Sequence, residues 1–433
     1  MMRRTLLMLV VLVCVLSVAI GISAQDDITL DFYFPTAVDG PIVSTIEGYV
    51  AQFNEANPGI TVVPSYTGSY TQTRDTIVAE GMEPIVDVAV MLSTDLYSFI
   101  QEETIVPAQS FIDTMEDPTA FVDDFFPAML LNSRDADGTI WSIPFQRSSV
   151  ALYYNADLFE AEGIAVPTNT EELIAAAQVL QTEDRAGLLI PVAGGFPTWM
   201  YQAFAAGFGQ PLTAEDPSVV NFNSEASLDA VTFLTLVGTS AEDGGYGVGP
   251  AGGSAWGETP TAFLAGQAAM IYHTSGSLSN LLNNADFTVG VAFAPSGPEG
   301  PATVLGGGNM YIFDDGSKTQ EELDAAWAFV EFMSSPEIQS DWGVASGYVA
   351  ARQSAWDMEP LASRVEEFPQ YGVTRDQLDV AVMEFSSYDS INIDGIVNST
   401  LSGILSGEVP LEEAQATLDT AQAQIDGLLD AYR

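Results

Sequence analysis

The stretch that decides the fold class runs from Ile28-Thr29-Leu30-Asp31-Phe32-Tyr33-Phe34 to Leu92. Ile28, Leu30, Phe32 and Phe34 alternate with Thr29, Asp31 and Tyr33, the period-2 pattern of a strand. Ile42, Ile46, Tyr49, Val50 and Phe53 then recur at intervals of three and four, which predicts a helix, and Asn57-Pro58-Gly59 ends it. Ile60 to Pro64 reads as a second strand, Gln72 to Glu80 as a second helix, and Ile85 to Leu92 as a largely apolar strand buried on both faces. Alternation of this kind argues for a parallel sheet with right-handed crossovers, an α/β lobe.

Upstream of this stretch, residues 1 to 24 read as a secretory signal. Arg3 and Arg4 form a basic start, Leu6 to Ile20 is almost wholly apolar, and Ile22-Ser23-Ala24 offers a small-residue cleavage site before Gln25. Cys14 lies inside the apolar run behind Val13, unlike a lipoprotein cysteine, and is expected to leave with the signal. An uncleaved anchor of the same length is the alternative. The rest has no run near the roughly eighteen apolar residues of a membrane span, so a protein outside the cytoplasm is expected, periplasmic or at the cell surface.

Composition narrows the chemistry. The chain has 433 residues, 47% of them hydrophobic, enough for a large core in about two domains. One cysteine, Cys14, and one histidine, His273, exclude Cys/His zinc sites, disulfide frameworks and CxxC redox centres. Eleven basic residues against 59 acidic ones give a net charge of -48, a surface that repels nucleic acid and anionic lipid. Lys318 is the only lysine. The acidity fits a salty medium, and it fits lineage composition equally well.

Downstream, Asp135-Ala136-Asp137-Gly138 has the composition of a hairpin turn and lacks the further oxygen ligands of a calcium loop. Thr139 to Tyr154 gives two apolar stretches around Pro144. Thr168-x-x-Glu171 is a capping box ahead of Leu173, Ile174, Ala177 and Leu180. Strands are expected at Ala269 to Tyr272, Phe287 to Phe293 and Val304 to Phe313, and helices at Ala325 to Met333 and Leu411 to Leu429. Gly247-x-Gly249-x-x-Gly252 formally matches a dinucleotide fingerprint, but the helical segment Ala230 to Leu236 precedes it and Pro250 interrupts it, so it reads as loop. His273 ends an apolar strand with no Gly-x-Ser-x-Gly elbow upstream, which argues for a structural or pocket-wall histidine. Among so many acids a glycosidase pair carries almost no information.

Aromatic and small polar residues at predicted element ends are more telling: Tyr70, Phe145, Ser148, Phe196, Trp199, Thr274, Tyr311 and Tyr348. Rings offer flat faces to the C-H side of a sugar or polyol, and hydroxyls and backbone amides satisfy its OH groups. Core packing is the competing role for each ring taken singly.

The ordered motifs of the mature chain resemble the family 1 extracellular solute-binding proteins of ABC importers. They are Phe53-Asn54-Glu55-Ala56-Asn57-Pro58-Gly59-Ile60; Leu152-Tyr153-Tyr154-Asn155; Phe263-x-x-Gly266-x-Ala268-Ala269-Met270 with Ser275-Gly276-Ser277-Leu278; and Ala326 to Glu337 through Gly347-Tyr348. Within that family the likeness is to glycerol-3-phosphate and glycerophosphodiester binders, through Tyr66-x-Gly68-x-Tyr70, Pro144-Phe145-x-x-Ser148, Thr274 to Ser277 and Gly306-Gly307. The resemblance implies that Tyr70, Ser148, Thr274, Gly307 and Tyr348 line a ligand cleft, with Phe196 and Trp199 stacking on the ligand; Phe145, from the set of rings at element ends, is expected beside them. The resemblance also implies an acid near the third strand, where Met91 stands, and a phosphate-facing arginine where Asp394 falls. Arg147 is the other cation on that side. Without the arginine a neutral saccharide fits better than a phosphoester.

The resulting expectation is a two-lobed α/β binding protein of the periplasmic type, with its cleft between lobes. The signal covers 1–24, one lobe is built from 25–147 plus 300–338, and the other from 148–299 plus 339–433. It would bind a sugar or polyol as a monomer and deliver it to ABC permease subunits, without metal, cofactor or catalytic residue. A glycerol-3-phosphate or glycerophosphodiester binder is the alternative of the same type. A secreted carbohydrate-active enzyme using two cleft carboxylates is the alternative of another class, and a chemoreceptor partner of the same fold is a third.

Overall fold

The computed structural model describes residues 27–79, 86–194, 196–214, 216–295 and 297–433. The signal segment, its cleavage site and Cys14 lie outside them. The first five elements follow the expected order: β1 (Ile28–Phe34), α1 (Ile42–Ala56), β2 (Ile60–Tyr66), α2 (Tyr70–Ala79) and β3 (Val88–Leu92). β1 pairs with β2 and β3 in parallel. The apolar face of α1, Ile42, Ile46, Tyr49, Val50 and Phe53, is buried against this sheet. Phe329 meets both Phe32 and Phe53 edge-on at 4.9 and 5.1 Å, which joins strand, α1 and the helix Gln320–Met333 into one core.

Seven further strands complete the described sheet. They are β4 (Ile105–Val106), β5 (Ile143–Asn155), β6 (Ala186–Leu189), β7 (Ala268–Thr274), β8 (Val289–Phe293), β9 (Thr303–Phe313) and β10 (Ala381–Val382). The main path runs β2-β1-β3-β9-β5-β7-β6, with β4 and β10 on β9 and β8 on β5. The parallel pattern stops at β9, which is antiparallel to both β3 and β5.

Two long strands join the halves of the molecule. β5 spans what the sequence divides at Pro144, because a bulge between Pro144 and Gln146 lets the strand continue through the proline. Between Ser149 and Val150 it leaves β9 and takes up β7 and β8, just past the 147/148 division expected from sequence. The division expected at 338/339 falls inside the helix Pro336–Ser346. A second large core lies beyond the exchange, around the helices Pro197–Gly207, Glu225–Gly238, Ser390–Leu405 and Ala414–Leu429.

One cap differs from its sequence reading by one register. The helix Thr170–Leu180 is capped by Asn169, whose side chain accepts from Glu172 N, while the Glu172 carboxylate accepts from Thr168 N and Oγ1. Asparagine caps as well as threonine, so the cap falls one residue later than Thr168-x-x-Glu171 predicts, and the glutamate side chain reaches back to Thr168, the residue before the cap, and not to the cap's own N–H. Asp135 to Gly138 is a turn: Asp135 Oδ1 accepts from Asp137 N and Thr139 N, and Oδ2 accepts from Trp141 Nε1. The loop after Leu236 folds back on the end of its own helix, where Gly247 N donates to Thr239 O and Val248 N and Gly249 N to Val237 O, so these amides are taken up within the loop as the loop reading expects. Among the described residues no helix is long and apolar enough to cross a membrane.

Candidate functional site in the cleft between the two halves

Three adjoining cavities follow the seam between the halves, with volumes of about 110, 30 and 310 Å³. The first is acidic, lined by Arg74, Asp95, Gln202, Glu384 and Asp394. The second is aromatic, lined by Tyr70, Phe196, Trp199, Trp256 and Tyr348 with Ser148, Thr274 and Gly307. Leu92, Phe196, Trp199 and Glu384 border both, so the two form one cleft. The third continues past Tyr70, Phe196 and Trp256 to His273 and Asn280. Trp256 Nε1 donates to the Ala37 carbonyl at 2.8 Å, a bond from one half to the other.

The glycine run in β9 makes room for the rings. A Cβ on Gly306 would stand 2.4 Å from Trp199 Nε1, and one on Gly308 would stand 2.5 Å from Val90 Cγ1 and 2.9 Å from the Tyr70 ring. These glycines therefore do not break the strand; side chains from other elements, rings among them, lie where their own would be. Gly307 between them has φ +95, and a Cβ there would overlap the Gln146 carbonyl. Trp199 is held from the side by Trp256, and Phe196 packs edge-on against the same ring, at centroid distances of 5.8 and 5.0 Å. Tyr348 lies with its ring 3.1 to 3.3 Å from the position of a Gly276 Cβ.

Eight of the ten residues expected from sequence border these cavities: Tyr70, Ser148, Phe196, Trp199, Thr274, Gly307, Tyr348 and Asp394. Phe145 does not. It is fully buried and stacked on Trp342 at 5.0 Å, a layer behind Tyr348. Arg147 is also fully buried, and its Nη1 donates to Ser93 Oγ and, at 3.0 Å, to the Gly307 carbonyl. Tyr311 packs on Phe99 and Phe313 in a small separate core. Met91 is buried in that core as well, and the acid near the third strand is instead Asp95. His273 forms a cavity wall, buried, with Nδ1 paired to Ser277 Oγ and Nε2 to the Trp256 carbonyl; burial lowers it to about 4.

Sequence reasoning missed Glu384, Trp256, Arg74 and Asp95. Among the described acids Glu384 is the most perturbed. Desolvation pushes its carboxyl up to about 8, against the pull of Arg147 and the Ser93 hydroxyl, and Asp394 and Asp95 add repulsion. Asp95 is pushed up to about 6 by burial, although Arg74 Nη1 stands 3.6 Å from it. Asp394 keeps solvent contact at the rim, but protein crowds its inner side and raises it; Asn398 Nδ2 donates to it at 2.7 Å. Arg74 is the lining cation among the described residues.

These shifts have one sign. Carboxyls raised above the ordinary range of about 4 bind protons more tightly in the folded state, so their contribution to stability is full at low pH and fades as pH rises. Burial that lowers His273 to about 4 acts with the opposite sign and offsets Asp95 below about pH 6.5, so the ligand-free protein should lose melting temperature from about pH 6.5 to about pH 8 in high salt, as Glu384 ionises. Glu384→Gln should flatten that fall. A melting temperature that stays level or rises between about pH 6.5 and 8 in the unmodified protein would contradict this.

Comparison with known proteins agrees with this geometry. sn-Glycerol-3-phosphate-binding periplasmic protein UgpB of Yersinia enterocolitica is 23% identical over 445 residues, covering 97% of each chain. Its Escherichia coli O1:K1 counterpart is 24% identical over 445 residues, covering 96% of each. UgpB from Mycobacterium tuberculosis in complex with glycerophosphocholine superposes with a TM-score of 0.78 at 19% identity, over 93% of this chain and 99% of that one. Maltose-bound MalE3 of T. maritima gives 0.78 at 19%, over 92% and 100%. A solute-binding protein of Agrobacterium radiobacter K84 in complex with ribitol gives 0.76 at 21%, over 93% and 99%. The two-lobed α/β fold is therefore shared. Residues 39–340 match the sequence profile of the bacterial extracellular solute-binding proteins, and with a ring-lined cleft between two halves joined by β5 and β9, the chain belongs to that family.

Proposed function

We propose that the protein captures a neutral, hydroxylated small molecule, a saccharide or polyol, outside the cytoplasm and presents it to the membrane permease of an ABC importer. The observation that carries this reading is the aromatic compartment opening into one whose polar groups are carboxyls, amides and hydroxyls, with Arg74 already facing Asp95. Rings stack on the apolar face of a sugar, and carboxylates and amides accept from its hydroxyls. The maltose and ribitol complexes among the structural neighbours support this ligand class. Tyr70, Ser148, Phe196, Trp199, Thr274, Gly307, Tyr348 and Asp394 are its proposed contacts.

Two lobes, exchanging at Ser149 and Val150 of β5, would close on the ligand, and the permease would read the closed form. No bond in the ligand is made or broken in this reading, and one chain suffices. Export on a signal cleaved near Ala24 completes it. The relatives named for sn-glycerol 3-phosphate favour a second reading, a phosphoester ligand in the same cleft.

Thermal-shift screening of a saccharide, polyol and glycerophosphodiester panel tests both. A single site at about ten times its dissociation constant stabilises by about 1.4 kcal/mol, a shift of at least about one degree. A response to neutral saccharides or polyols is the expected result, and silence across all of them would overturn this ligand class.

A further inference from the structure

We propose that Glu384 is the residue that denies this cleft a phosphate, because with Ser93 and the Gly307 carbonyl it holds the Arg147 guanidinium behind the cleft wall. This deepens the reading of a neutral ligand and rests on it. The hydrogen bonds form a chain. Arg147 Nη1 donates to Ser93 Oγ, and Ser93 Oγ donates to Glu384 Oε2 at 3.2 Å. The same Nη1 also donates to Gly307 O at 3.0 Å. Glu384 is pinned at its backbone, where its N–H donates to Asn132 Oδ1 at 3.0 Å and its carbonyl accepts from Asn132 Nδ2 at 2.9 Å. Its side chain borders both the acidic and the aromatic compartments.

What stands behind this chain resembles an anion reader held out of reach. Arg147 Nε and Nη2 are buried and make no hydrogen bond among the described residues. A guanidinium with idle forked donors is matched to phosphate oxygens, and the peptide of Gly307 stands between it and the aromatic compartment. Above about pH 8, where Glu384 is ionised, a dianion entering from the cleft would meet its carboxylate before it met Arg147, and would have to lose its hydration beside a like charge. Sequence assigns this discrimination to Asp394, but that carboxyl sits at the rim against Asn398, with Arg147 coupled to Glu384 and not to it. Glu384 is faced by Arg147 from β5, Ser93 and Asp95 from the turn after β3, Tyr70 from α2, Tyr311 from β9 and Asp394 from the helix Ser390–Leu405.

Calorimetry at pH ~9, where Glu384 is ionised, compares carboxylate with amide. The probes are glycerol 3-phosphate and inorganic phosphate, and the proteins are the unmodified chain, Glu384→Gln, and Glu384→Gln combined with Arg147→Met. Glu384→Gln should gain at least about tenfold in affinity for both probes, and the double variant should lose that gain. No gain, a gain that survives Arg147→Met, or tight phosphate binding by the unmodified protein would overturn the proposal. If circular dichroism shows Glu384→Gln unfolded, Ser93→Ala cuts the same chain. It should gain at least about threefold, and its failure to gain is equally decisive. Neutral saccharides and polyols on the unmodified protein read the ligand class separately, so the two ideas fail in different columns of the same experiment.

Discussion

Trp342→Ala should destabilise the protein by about 3 to 5 kcal/mol and weaken ligand binding with it. Trp342 has no exposed surface and lies in the helix Pro336–Ser346. Its indole is the middle plate of a three-ring stack, 5.0 Å from Phe145 at 16° and 5.5 Å from Tyr348 at 10°. Removing it leaves a cavity that two rigid rings cannot close without leaving their rotamers. It also frees Tyr348, which is otherwise clamped between Trp342 and the backbone of Gly276. Denaturant unfolding measures the first effect and calorimetry with the panel's best ligand measures the second. Lost stability with unchanged affinity would mean that the stack does not position Tyr348. Trp342→Phe keeps a plate and should lose much less on both scales.

That stack marks the limit of what the sequence made legible. Phe145 and Phe196 are both rings beside motif residues, and nothing local separates them; the first is a layer behind the cleft and the second borders it. The opening strands and helix were readable because burial on one face leaves a period of two or of three and four, as in β1 and α1. β9 was readable at its apolar ends, but the role of Gly306 and Gly308 was not, since their steric partners Trp199 and Tyr70 come from distant elements. Glu384 gave no signal at all. Its neighbours Val382, Met383 and Phe385 show no periodicity, and its partners Asn132 and Ser93 lie 252 and 291 residues away in the chain. Trp256 sits after a glycine-rich segment that reads from sequence only as a loop, yet it reaches across to Ala37. Local pattern reports burial, whereas a cleft is assembled from residues whose common property is position.

Trp199→Ala should weaken binding of the cleft ligand by about 1 to 3 kcal/mol, from roughly fivefold to more than a hundredfold. The indole borders the acidic and the aromatic compartments at once, so any ligand long enough to use both must pass its face. Only 6% of it is exposed, and it packs into the second core, which makes an ordinary core role the competing account. Two variants separate them. Trp199→Phe retains a ring for stacking but a smaller one, and should recover part of the affinity. Gly306→Ala leaves the indole in place chemically but puts a methyl within 2.4 Å of Nε1, so the ring must shift from its present position. If Trp199 is a stacking platform, Gly306→Ala should reduce affinity nearly as much as Trp199→Ala, because the ligand meets a displaced face. If the ring is only core, Gly306→Ala and Trp199→Ala should both lower the melting temperature while leaving the dissociation constant where it was. Affinity and stability measured on the same three variants therefore distinguish a residue that touches ligand from one that merely fills space beneath it.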